Sequence, residues 1–130
     1  MNTALYILIV DDDSSLRRII NLSLTGLPGI TLLDACDGRN AIEILEKYGD
    51  KICVLLTDHD MPHMTGDGLI AWTKNSFPKI KSILASGRLP EVEGLSEPDR
   101  SIAKPFTTSV IRMLVIDLIK EFKVEHGQIE

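Results

Sequence analysis

The chain has 130 residues, 44% of them hydrophobic and 25% charged, with a formal net charge of −5. That length holds one domain with its own core rather than two, and the composition is that of a folded globular chain without low-complexity tracts. The acidic balance argues against nucleic acid or an anionic membrane as a direct partner, and no apolar run approaches the length of a membrane span.

Leu5–Val10 is a continuous apolar run that reads as a strand buried on both faces, and it stops abruptly at Asp11-Asp12-Asp13. The apolar residues before it lack the basic start and small-residue cleavage site of a signal peptide, so a cytoplasmic protein is expected. A helix begins near Asp13 or Ser14, either of them a good N-cap. It carries Leu16, Ile19, Ile20 and Leu24 at helical spacing, with Arg17 and Arg18 facing out, and Gly26 and Pro28 end it. Ile30–Ala35 is a second strand. Asp37-Gly38 turns it into a helix with Ala41, Ile42, Leu45 and Tyr48 on one face, closed by Gly49-Asp50. The third strand starts at Ile52 and runs apolar until it meets Asp58. A loop follows through Met61, Pro62, His63, Met64 and Gly66, in which His63 is expected to be an exposed histidine rather than a ligand. A helix over residues 67–75 is stopped by Pro78, with Trp72 expected as packing. The fourth strand, 80–86, ends at Ser86-Gly87.

Between residues 87 and 100, Gly87, Pro90, Gly94 and Pro98 leave room for one or two helical turns near 91–96. A short strand, 101–103, precedes Lys104-Pro105-Phe106. The last helix spans from Thr107 or Thr108 to Lys123, with apolar pairs Val110/Ile111, Leu114/Val115 and Leu118/Ile119 and then Phe122. A domain over residues 1–124 and a frayed tail over 125–130 follow. Cys36 and Cys53 lie in or beside strands and are expected as buried free thiols. Five strands alternating with five helical segments predict an α/β architecture with a parallel sheet and right-handed crossovers.

Four of the five strands end in a reactive side chain: Asp11 and Asp12, Asp58, Ser86, and Lys104. In a parallel sheet those ends share one edge, where open α/β sheets bind ligands. Asp13 reads as a cap and Asp37 as a turn former, so neither joins the set. Asp11, Asp12 and Asp58 cannot all stay ionised within a few ångströms of each other without a cation. Mg²⁺ (or Mn²⁺) suits such a site, because it takes one or two carboxylates and completes its shell with waters and phosphate oxygens. A carboxylate, a divalent ion and a lysine suit in-line phosphoryl transfer onto Asp58 as an aspartyl phosphate.

The order Ile9-Val10-Asp11-Asp12, Asp58-x-x-Met61-Pro62-x-Met64-x-Gly66, Ala85-Ser86-Gly87 and Lys104-Pro105-Phe106 resembles the receiver domain of two-component response regulators. The resemblance covers roughly residues 5–123. It implies a flavodoxin-like, doubly wound five-stranded sheet in the order 2-1-3-4-5. It further implies Asp58 as phosphoacceptor, Asp12 as direct metal ligand with Asp11 acting through water, and the backbone carbonyl of Asp60 as another ligand. Ser86 would be the switch hydroxyl and Lys104 the lysine that pairs with the phosphoryl group. The phosphoryl donor would be a sensor histidine kinase or a histidine phosphotransfer protein. The output would be a downstream protein or a homodimer, reached through the fourth helix, fifth strand and last helix.

Three departures from the family pattern stand out. Ser101 occupies the position of a usual aromatic residue. The interval from Ser86 to Lys104 is short and interrupted by prolines, which predicts a shortened or irregular fourth helix like that of receivers attached to hybrid histidine kinases. Asp60 and Arg88 flank the pocket mouth, where they are expected to pair and to tune the phosphate's lifetime. Two other readings compete. A haloacid-dehalogenase-like phosphatase shares Asp58-x-Asp60 but has its acidic pair downstream, and a pseudo-receiver that only docks partners would have lost an acid or the lysine. The receiver reading predicts self-phosphorylation and slow autodephosphorylation without turnover of a separate substrate.

Overall fold

The computed structural model describes residues 4–87 and 97–127. Five strands, β1 (Leu5–Val10), β2 (Ile30–Ala35), β3 (Ile52–Asp58), β4 (Lys81–Ser86) and β5 (Arg100–Ala103), form one sheet in the order β2-β1-β3-β4-β5. Every pairing is parallel. This is the flavodoxin-like order that the resemblance implies. Four helices are described: α1 (Ser14–Leu24), α2 (Gly38–Tyr48), α3 (Gly66–Ser76) and α4 (Thr108–Glu125). A 3₁₀ turn, Gly49–Lys51, follows α2. The expected fourth helical segment, over 91–96, lies outside the described residues.

Period-two alternation on the strands divides the core. Ile7 and Ile9 of β1 and Ile83 and Ala85 of β4 point to the side covered by α1 and α4. Leu8 and Val10 of β1, with Leu84 of β4, point to the side covered by α2 and α3. A sheet buried on both faces needs apolar residues at nearly every position, which is why β3 is buried throughout. Each fully buried Leu or Ile contributes about 1.5–3 kcal/mol, so these strands anchor the domain.

Helix starts follow the capping rules. The Asp13 carboxylate accepts from the N–H groups of Ser15 and Leu16, and Thr65 and Thr107 cap α3 and α4 through their side chains. Asp37, expected only as a turn former, is the N-cap of α2 and accepts from the Asn40 N–H. Gly26, with φ +89°, reverses the chain after α1. The last helix runs two residues beyond Lys123 to Glu125, where the His126 N–H satisfies the Phe122 and Val124 carbonyls.

Three side-chain expectations are corrected. Ile19 is 48% exposed, because α1 buries the stripe through Ile20 and Leu24, one residue round the helix. Arg17 does not face out but folds back over the sheet edge. Both cysteines are free, yet only Cys53 is buried; Cys36 is exposed just past β2. Burial pushes the Cys53 thiol up to about 12, so it stays protonated and inert. His63 is exposed, as expected, and is the one non-glycine residue with positive φ (71°) among the described residues. A Cβ in that region is disfavoured by roughly 1 kcal/mol. His63→Gly should therefore raise stability in urea denaturation by up to about 1 kcal/mol, and an unchanged or lower midpoint would contradict this.

Candidate functional site

Strand register assembles the site. Val10 pairs with Thr57, Asp58 with Ala85, and Ser86 with Ala103, so the residues at or just past these positions meet at the carboxyl edge. The ladder continues one residue further at three points. Asp11 N–H donates to the Ala35 carbonyl (3.2 Å), His59 N–H to Ala85 (2.9 Å), and Lys104 N–H to Ser86 (2.9 Å). Asp11, Asp58 and Lys104 thus stand at fixed backbone positions rather than on free loops.

Carboxylate oxygens of Asp11, Asp12 and Asp58 lie within 4.8 Å of one another. Asp11 and Asp58 are buried, at 2% and 7% exposure, while Asp12 is exposed. The Lys104 Nζ lies 2.6 Å from Asp58 Oδ1 and 3.6 Å from Asp11 Oδ2. Asp11 Oδ1 accepts the Asp13 N–H at 2.9 Å. Burial raises the Asp11 carboxyl above its usual range; the Asp13 N–H and Lys104 oppose this, and the Asp58 and Asp12 charges add to it. Burial works against the Lys104 charge, but its hydrogen bond to Asp58 and the Asp11 and Asp58 charges together raise its pKa. The chemistry of the donor set fits a hard divalent cation: three carboxylates hold more negative charge than one ammonium cancels.

The loop after β3 is drawn in against the strand end. Gly66 N–H donates to the His59 carbonyl at 2.9 Å, and the Thr57 hydroxyl donates to the Asp58 carbonyl at 2.9 Å. A Cβ on Gly66 would lie 2.1 Å from the Asp58 carbonyl oxygen, so only glycine fits there. Met64 packs over Gly38 at the start of α2, fastening the loop's outer side.

Of the residues singled out in the sequence, Asp11, Asp12, Asp58 and Lys104 converge. Ser86 is buried at the end of β4, next to Lys104 through its carbonyl. Asp60 is exposed in the loop beyond Asp58. Arg88 lies outside the described residues, and with it the expected pairing to Asp60. Ser101 is exposed on β5, paired in register with Leu84. Two residues beside the site escaped the sequence reading. Arg17 donates from Nη1 to the Asp11 carbonyl at 2.8 Å. His59, directly after Asp58, has a buried Nδ1 with no hydrogen-bond partner among the described residues. Arg17 sits one turn after the Asp13 cap, and a helical side chain leans back over the preceding turn, which was the available signal.

The sequence matches the profile of the response regulator receiver domain over residues 7–115. It is 33% identical over 119 residues to a chemotaxis protein CheY homolog of Campylobacter jejuni, covering 87% of this chain and 91% of that one. Chemotaxis protein CheY1 of Helicobacter pylori (strain J99) is 35% identical over 112 residues, covering 82% and 90%. Among solved structures, a two component transcriptional regulator AraC from Clostridium phytofermentans superposes with a TM-score of 0.80 at 30% identity, over 95% of this chain and 97% of that one. Among the described residues, no helix is long and apolar enough to cross a membrane.

Proposed function

Because the chain belongs to the response regulator receiver domain family, a family of signalling domains, we propose that it is a phosphoacceptor whose acceptor is Asp58. The observation that carries this reading is the Lys104 ammonium, 2.6 Å from one Asp58 oxygen in a pocket shared with two further acids. A carboxylate oxygen of Asp58 attacks phosphorus in line. The bond from phosphorus to the donor breaks as the new P–O bond forms, and the leaving group, a histidine imidazole or acetate, departs with the electron pair.

Asp11, Asp12, Asp58 and the Asp60 carbonyl would hold Mg²⁺, which when bound neutralises charge on the transferring phosphoryl oxygens. Lys104 contributes the fixed positive charge on the other side and keeps the acceptor carboxylate oriented. Once formed, the aspartyl phosphate carries roughly −1.5 to −2 charge and three strong acceptor oxygens, by analogy with other phosphorylated side chains. Contacts from Ser86 and Lys104 to the phosphoryl oxygens exist only in that state, which biases a two-state surface that includes β5 and α4. A sensor histidine kinase or a histidine phosphotransfer protein is the donor, and a downstream protein or a second copy is the reader.

Incubation with acetyl phosphate and Mg²⁺ tests this by intact-mass spectrometry. The wild type should gain the mass of one phosphoryl group per chain, and lose the gain when Mg²⁺ is chelated. Asp58→Asn should gain none. Equal labelling of the two proteins would overturn the assignment.

A further inference from the structure

Resting on the metal site just described, we propose that Arg17 is a positioning residue for the acidic cluster: by tying the Asp11 carbonyl to Asp34 it holds the Asp11–Asp12 peptide so that Asp12 faces the cation. Its guanidinium donates from Nη1 to the Asp11 carbonyl at 2.8 Å and from Nε to Asp34 Oδ2 at 3.2 Å. The Arg17 side chain is only 20% exposed, while Asp34 is 50% exposed. It spans from the first turns of α1 to the edge strand β2, with the end of β1 between them.

Helix electrostatics alone do not favour a cation there. The amino end of a helix carries partial positive charge and favours anions, yet the first turn of α1 has no acid and Arg17 follows directly. The side chain leans back past the Asp13 cap, as helix geometry directs, and reaches the level of Asp11. The planar fork of guanidinium suits two acceptors at once.

The consequence falls on one peptide group. Asp11 is held at four points: N–H on the Ala35 carbonyl, C=O on Arg17, Oδ1 on the Asp13 N–H, and Oδ2 3.6 Å from Lys104. Asp12 is exposed, and no comparable contact fixes its side chain among the described residues. Its side chain turns about χ1, and the backbone that precedes it sets the arc within which the carboxylate can move. Asp11, Asp12 and Asp58 repel one another, and a turn of the backbone at Asp11–Asp12 would carry the whole arc open to the Asp12 carboxylate away from the other two acids. Arg17 opposes that turn at the carbonyl, so Asp12 stays within reach of the other two acids before a cation arrives and ordering the cluster costs the cation less.

Calorimetric titration of the metal-free protein with Mg²⁺, joined to amide NMR, tests this. Arg17→Met keeps the apolar stem and removes both hydrogen bonds; it should bind Mg²⁺ about tenfold more weakly, as expected for loss of a group that orients a ligand. The Asp12 amide, which shares its peptide with the Asp11 carbonyl, should shift before any metal is added, while β4 amides stay in place. Arg17→Lys should recover only part of the affinity, because one ammonium cannot reproduce the fork. A folded Arg17→Met protein with wild-type affinity and an unmoved Asp12 amide overturns the proposal. Should Arg17→Met not fold, wild-type affinity in Arg17→Lys overturns it equally. A wild type that takes up no Mg²⁺ overturns the metal site itself; unchanged variants beside a Mg²⁺-binding wild type overturn only the role of Arg17.

Discussion

Gly66→Ala should cost about 3 kcal/mol of folding stability, measured by urea denaturation, and should disorder the loop that follows Asp58. The added methyl would stand 2.1 Å from the Asp58 carbonyl oxygen, 2.8 Å from its carbon and 2.9 Å from the His59 Cα. These are backbone atoms at the end of a buried central strand, so none can swing aside as a side-chain tip would. Nor can Gly66 retreat freely, because its own N–H is bonded to the His59 carbonyl at 2.9 Å. Gly68→Ala is the matched control. Its methyl would meet the Thr65 Oγ1 at 3.3 Å, a side-chain atom, and alanine favours a helix by up to about 1 kcal/mol, so stability should stay within about 1 kcal/mol of wild type. A Gly66→Ala protein as stable as its parent would mean that the loop does not sit as described.

Asp11→Asn should act in opposite directions on the metal-free protein and on the metal. Asparagine keeps an oxygen to accept the Asp13 N–H but carries no charge. The Asp11 pKa is raised in the folded state above the 3.8 of an unfolded aspartate, burial being the largest cause. The folded chain therefore holds this proton more tightly than the unfolded chain. The stability linked to it is fully present below pH 3.8 and is lost as pH rises through the raised folded pKa. Above that raised pKa the ionised group burdens the metal-free fold, and Asp11→Asn should make the metal-free protein more stable there. Loss of the 3.6 Å approach to Lys104 offsets only part of that gain. On the proposed metal site, where Asp11 acts on the ion through water, removing its charge should lower Mg²⁺ affinity by about tenfold or more. Thermal melts at a series of pH values from the usual carboxylate range, about pH 4, upward to about pH 8, with and without Mg²⁺, read both effects. A variant less stable than wild type above that raised pKa without metal would refute the burden assigned to Asp11.

How far the molecule could be read in advance depended on whether each feature was local to its stretch of chain. Apolar runs ending in acids, serine or lysine give strands and their outward ends, and parallel connections bring those ends to one edge. For this reason Asp11, Asp12, Asp58 and Lys104 were found together. Features that depend on which stripe of a helix meets a neighbour were not legible. Ile19 and Ile20 are equally apolar and about a quarter-turn apart, and only the line of contact between α1 and α4 decides that Ile20 is the buried one. Arg17 looked like one of a pair of surface charges because its acceptors belong to β2 and the end of β1, not to its own helix. Asp37 as a cap and Cys36 as an exposed thiol turned on where one strand stopped, a boundary that composition blurs by a residue or two.

The division of the interior into two halves also bears on the order in which the molecule can form during translation. The half covered by α2 and α3 draws its buried residues from positions 8 to 84, so it can close as soon as β4 has left the ribosome. The half covered by α1 and α4 needs Ile111, Val115, Leu118, Ile119 and Phe122 as well. Until those residues emerge, one side of the nascent sheet stays open to water and to chaperones.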